Sequence, residues 1–159
     1  MNIFFLDKDP KIAAKWHCDK HVVKMCIEYA QLLSFALHLT NSSTNEYTYK
    51  LSKKHINHPC TAWPTESLSH WKWLWLLGHH LGNEYTRRYK KIHKSTRILR
   101  NLPVPNNILD LGWLRDPPQA IKDCPHMEDT VEAYKNYYKI DKIKFAKWNY
   151  SETPPWWYK

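Results

Sequence analysis

The sequence predicts an all-α fold in a single domain, and three observations predict it. Only three of the 159 residues are glycine, too few for a Gly-rich phosphate loop, a dinucleotide-binding fingerprint or a turn-dense β-sandwich. Long stretches carry apolar residues at helical spacing. The longest of them, Lys11 to about Leu39, holds neither Gly nor Pro. The chain length suits one domain with a sizeable core, and neither an internal repeat nor a domain boundary is visible.

The elements follow in order. After a short extended start at Ile3–Leu6, Asp9-Pro10 opens a helix, with Asp as N-cap and Pro in the first turn. That helix runs to about Leu39, where Asn41-Ser-Ser-Thr-Asn45 stops it, and its wide apolar surface predicts burial by neighbours. A polar connection leads to a second long helix, from Pro64 in its first turn to about Lys91. Gly78 and Gly82 lie four apart in it, each costing roughly 1 kcal/mol against alanine. The compensation expected is close approach of another helix, the first. Five prolines in 101–126 predict an ordered loop, and Glu128 to about Trp148 reads as a third long helix. The tail Pro154-Pro-Trp-Trp-Tyr-Lys159 is stiff and aromatic.

Composition narrows the function. A hydrophobic fraction of 43% with 25% charged residues argues against disorder. No apolar run approaches the ~20 residues of a membrane span, and the first ten residues are too short and acidic for a signal peptide. Cys18, Cys26, Cys60 and Cys124 form no CxxC, which fits a reducing, intracellular setting: cytoplasm, or host nucleus for a viral protein. The net charge is +9 and aromatics reach 14%, a balance that points to a polyanionic partner.

Three features carry chemistry. His17, His21, Lys24, Glu28 and Gln31 stand at helical steps and form one polar stripe on the otherwise apolar first helix. It reads either as a solvent-facing seam or as a cleft for acid–base and nucleophilic work. The His17/His21 pair is also compatible with a shared cation, but HxxxH without a further ligand does not specify one, and no metal or other cofactor is assigned. Between Glu84 and Asp110 no acid occurs, while Arg87, Arg88, Lys90, Lys91, Lys94, Arg97 and Arg100 do. Such a run suits a phosphate backbone. The tail aromatics, Trp156 and Trp157 among them, suit either base stacking or a clamp onto the body.

These residues resemble a known family. Met1-Asn-Ile-Phe-Phe-Leu, then Asp19-Lys20-His21 with Glu28 seven beyond the histidine, is similar to the start of pyrimidine-dimer DNA glycosylases of the phage endonuclease V type. Asn57-His58-Pro59 resembles an NHP segment of bacterial relatives, Glu84-Tyr85 to Arg88-Tyr89 a later helix, and Pro155-Trp-Trp-Tyr-Lys159 a C-terminal stretch. The resemblance implies a monomeric all-α enzyme that bends double-stranded DNA and flips a base. In it a terminal amine attacks the sugar C1′, expels the base and forms a Schiff base, assisted by a glutamate. Glu28 takes the glutamate role, the Met1 amine or Lys24 the nucleophile's, and His21 a supporting one. α-Amines titrate at about 7.7–8.0 in peptides, low enough to supply free amine at neutral pH. The chain departs from the pattern: Asn2 is too large for usual methionine removal, and Ile27 and Gln31 flank Glu28 where arginines are expected. Direct attack by water is the alternative to an amine nucleophile. The alternative functions are a non-catalytic DNA-binding protein using the Arg87–Arg100 face, or a base-modifying enzyme on the same scaffold.

Overall fold

The computed structural model describes residues 1–158 and is all-helical over them. Its helices are α1 Pro10–Trp16, α2 Asp19–Leu39, α3 Pro59–Ala62, α4 Leu68–Tyr89, α5 Lys94–Arg100 and α6 Thr130–Ile140, with 3₁₀ turns at Trp63–Thr65, Lys142–Lys144 and Pro155–Tyr158. α4 packs along both α1 and α2, and α5 fills the angle between α2 and α4. Ile3 to Leu6 run extended through the core, each at most 4% exposed.

Asp9 caps α1 as expected, accepting from the Lys11 amide with Pro10 at the first position. The helix does not continue to Leu39. His17 turns extended, at φ −59° and ψ 132°, and a new helix starts at Asp19. Neither Gly nor Pro causes this break; distant side chains do. The carbonyls a helix end leaves unpaired are each taken. Arg88 donates to the oxygens of Lys15 and His17 at 2.9 Å. Trp148 Nε1–H donates to the Trp16 oxygen at 3.1 Å. Arg88 also meets Asp19 at 3.2 Å and Glu84 at 3.1 Å, its own side chain fully buried.

The second long helix starts at Leu68 rather than near Pro64, which sits in a 3₁₀ turn after α3. It ends at Tyr89 because Lys90 adopts a left-handed conformation, φ 58°. The basic interval therefore spans a helix end, a turn and a separate helix, α5. Gly78 and Gly82 do admit a close neighbour, but chiefly α5. A Cβ on Gly78 would lie 2.3 Å from Leu99 Cδ1 and 3.5 Å from Tyr29 Cβ, and one on Gly82 would lie 2.6 Å from Thr96. The third helix is shorter than its polarity pattern suggests, Thr130–Ile140, capped by Asp129. Residues 101–126 form the expected irregular segment, which continues to Asp129. α2 is long and apolar enough to cross a membrane, against the expectation that no run would be, yet most of it is packed inside the fold.

The tail acts as a clamp. Trp156 is 8% exposed and meets Trp16, Tyr138 and Trp148 edge-on, and Trp157 is half-buried against Trp148. Lys159 lies outside the described residues.

Arg88→Met should cost about 3–5 kcal/mol, because Asp19 and Glu84 lose their buried countercharge and two carbonyls lose their donor. Arg88→Lys should recover little of it, since one ammonium lacks the planar fork. Denaturant midpoints with an unchanged slope are the check, and the exposed Lys91→Met, within about 0.5 kcal/mol of the parent, is the control.

Candidate nucleic-acid interface and active site

The break between α1 and α2 divides the predicted stripe. His17 is completely buried: Nδ1 lies 2.7 Å from the Ala13 oxygen and Nε2 2.7 Å from the Tyr29 hydroxyl. The carbonyl can only accept, so Nδ1 carries the proton and Nε2 accepts from Tyr29. The same hydroxyl accepts from the Phe4 amide at 3.2 Å. Burial drives the His17 pKa down to about 3. His21, 4% exposed, shares a 2.5 Å hydrogen bond with Tyr138 and stacks on Phe4 at 4.2 Å. Burial, followed by the charges of His17, Lys142 and Lys24, drives it to about 2. Both imidazoles are neutral packing groups. His17 is corrected as a DNA contact because it reaches no solvent. With both its ring nitrogens engaged, it also offers no lone pair for a shared cation.

Glu28 lies three turns into α2 with its side chain 14% exposed, and Lys24, exposed one turn earlier, pairs with it at 3.5 Å. Gln31 is half-buried one turn beyond. The decisive neighbour is His58. As N-cap of α3 it accepts the Cys60 amide on Nδ1 at 3.1 Å, which puts its proton on Nε2. Burial lowers the His58 pKa, the Met1 amine lowers it further and Glu28 opposes both. Cys60 feels the same two charges, and burial pushes its thiol up to about 12, so it is no nucleophile. The N-terminal amine and the Glu28 carboxylate both lie within electrostatic reach of His58, with Lys24 rather than the amine as the ion-pair partner of Glu28 among the described residues. Asn2 anchors the terminus there: its amide donates to the Ala120 oxygen at 3.0 Å, and its oxygen accepts from Tyr134 at 2.7 Å.

The cations sort into two sets. Of the acid-free interval, Lys90, Lys91, Lys94, Arg97 and Arg100 are exposed, while Arg87 is held by Glu84 and Ser151. Arg88 is corrected as a phosphate contact, because its guanidinium is consumed inside the helix break. Trp156 is likewise corrected, since it is buried in the clamp; Trp157 keeps partial exposure. A second set borders the α2 corner. Lys20 lies 4.8 Å from the Phe145 ring centre, Lys142 4.5 Å from that of Tyr137, and Lys142 and Lys24 both act on His21. Lys20, Lys144 and Lys147 line a basin of about 330 Å³ with Phe145, Tyr150 and Asp19, the last already paired with Arg88. Sequence reasoning missed this set. Its signal was present as Lys139, Lys142, Lys144 and Lys147 around a single Asp141. It also noted His58 without giving it a role. No group of three His, Cys, Asp or Glu side chains converges as for a metal among the described residues.

Compared with family models, curated proteins and solved structures, the chain matches none.

The two neutral histidines set a pH dependence. Their folded pKa values lie below the unfolded 6.5, so below pH 6.5 the unfolded chain binds more protons and stability falls as pH falls. Between pH 6.5 and 5, before most carboxylates titrate, the slope should approach about 1.4 kcal/mol per pH unit for each histidine. His17→Gln should remove one histidine's share of that slope, measured by denaturation at a series of pH values.

Proposed function

We propose that the chain is a DNA glycosylase of the pyrimidine-dimer type, acting on a damaged or modified pyrimidine in double-stranded DNA. The observation that carries the reading is Glu28, a carboxylate only 14% exposed and paired with Lys24 at 3.5 Å, with His58 in electrostatic reach of both it and the terminal amine. The sequence resemblance at Asp19, His21 and Glu28 points the same way. The exposed lysines and arginines on both sides of α2 supply the charge a phosphate backbone requires.

The chemistry follows from the residues. The amine lone pair attacks the sugar C1′ and the C1′–N bond breaks, its electron pair leaving with the base. The Nε2–H of His58 is a donor for the departing base, and the amine's surplus proton passes to water. The positive charge that develops on the sugar is offset by Glu28, fixed by Lys24 so that it faces that charge without reorganising. Opening of the sugar ring, with the C1′–O bond breaking and the ring oxygen taking a proton from water, leaves a protonated Schiff base at C1′. Loss of the C2′ proton to water then drives elimination, in which the C3′–O bond breaks and the phosphate leaves with its electron pair. His21 acts only by packing, holding Phe4 and through it the N-terminal segment.

A second reading, a DNA-binding protein without catalysis, draws on the Lys20, Lys144 and Lys147 basin, which needs no reaction to account for it.

Glu28→Gln should abolish base release from a duplex carrying a pyrimidine dimer while leaving duplex affinity within about threefold of the parent; undiminished turnover would exclude the glycosylase. Borohydride should trap a covalent protein–DNA adduct with the parent chain. Base release without trapping would assign the attack to water instead. Replacing Lys144 and Lys147 together by Gln should reduce the slope of log K against log salt by about 1.8, at roughly 0.9 per phosphate contact. An unchanged slope would move the interface to the α5 face.

A further inference from the structure

We propose that the cleft between α4 and residues 100–104 is a second binding site, for a planar aromatic anion of mononucleotide size. It is a cavity of about 390 Å³, within the range of small-molecule sites. Trp71 and Trp75 of α4 and Leu102 and Val104 beyond α5 line it, with Lys72 and Arg100 as its charged members.

The stacking surface is fixed in advance. Trp75 donates its indole N–H to the Leu99 oxygen at 3.0 Å, and His79 stacks on the ring at 5.1 Å, 10° from parallel. An indole held at its edge and on one face gives a flat, rigid platform with little entropy left to lose. Val104 stays 60% exposed at the mouth, an apolar side chain for a ring to cover.

The charge selects the ligand. Asn83 takes one guanidinium nitrogen of Arg100 at 2.8 Å, which restrains the planar fork at the cleft it lines and leaves other N–H groups for an anion. Lys72 lies within electrostatic reach of Asp110, which offsets part of its charge, so Arg100 is the stronger anchor. A cavity of similar size, about 380 Å³ over Phe5, Trp73 and Trp113, makes the contrast. Its charged residues are Lys8 and Asp116, whose opposite signs give no preference for an anion. Only a ligand with both an aromatic ring and a phosphate or comparable anion uses the platform and the fork together. A neutral nucleoside forgoes Arg100, and a sugar phosphate forgoes the indole.

The site shares no residue with the Met1–Glu28–His58 corner, so it stands or falls independently of base release. Isothermal titration of the full chain with AMP, adenosine and ribose 5-phosphate tests it. AMP should bind with Kd below about 1 mM, and adenosine and ribose 5-phosphate each at least about tenfold more weakly. Arg100→Gln, an exposed substitution that spares the core, should weaken AMP about tenfold and leave adenosine unchanged. Trp75→Leu should weaken both AMP and adenosine. Equal affinity for AMP and adenosine, no AMP binding below 1 mM, or indifference to Arg100→Gln would each overturn the proposal.

Discussion

The fold depends on one buried cation. Removing a guanidinium from water costs several kcal/mol, and Arg88 recovers that cost only because the first helix is broken in front of it. Two carboxylates, Asp19 and Glu84, balance its charge, and the freed carbonyls of Lys15 and His17 take its remaining donors. Cation and break require each other: a continuous helix would have used those carbonyls internally. The break also lets His17 turn inward to reach Tyr29, whose hydroxyl in turn holds the Phe4 amide. A charge on α4 thus sets the position of the N-terminal segment through three hydrogen-bonded links.

This arrangement separates the histidines by task. The two in the stripe are dry, neutral and structural, and the ring with an available proton comes from α3. Glu28 escapes the same fate because it lies farther along α2, where it pairs with Lys24. Around it the protein's +9 divides into an α5 face and a lysine basin beside the α2 N-terminus. For the proposed DNA reading this division matters, since two separate sets of cations can hold two stretches of backbone.

The sequence made the helical class, Asp9 as a cap and the irregular segment over 101–126 legible, because each is written in local spacing or composition. The helix break was not legible, because its cause lies about 70 residues away in Arg88. A run of arginines shows how much charge is present and not which member is buried. Gly78 and Gly82 announced a close contact but not its partner, since α5 was hidden inside what read as a helix end. The lysines at 139–147 were overlooked because a single aspartate interrupts them. His58 could be seen as a residue but gained a role only when α3 brought it beside two charges from elsewhere in the chain.

Asn2 adds a constraint in time. Its side chain is tied to Ala120 and Tyr134, 118 and 132 residues further on. At the rates ribosomes work, those partners emerge on the order of 10 s after it does. Until then Ile3, Phe4, Phe5 and Leu6, each nearly solvent-free in the finished protein, lack part of the packing that buries them. The amine corner is therefore among the last parts of the molecule to assemble. A chain truncated before α6 would carry every residue of that corner without the means to hold them together.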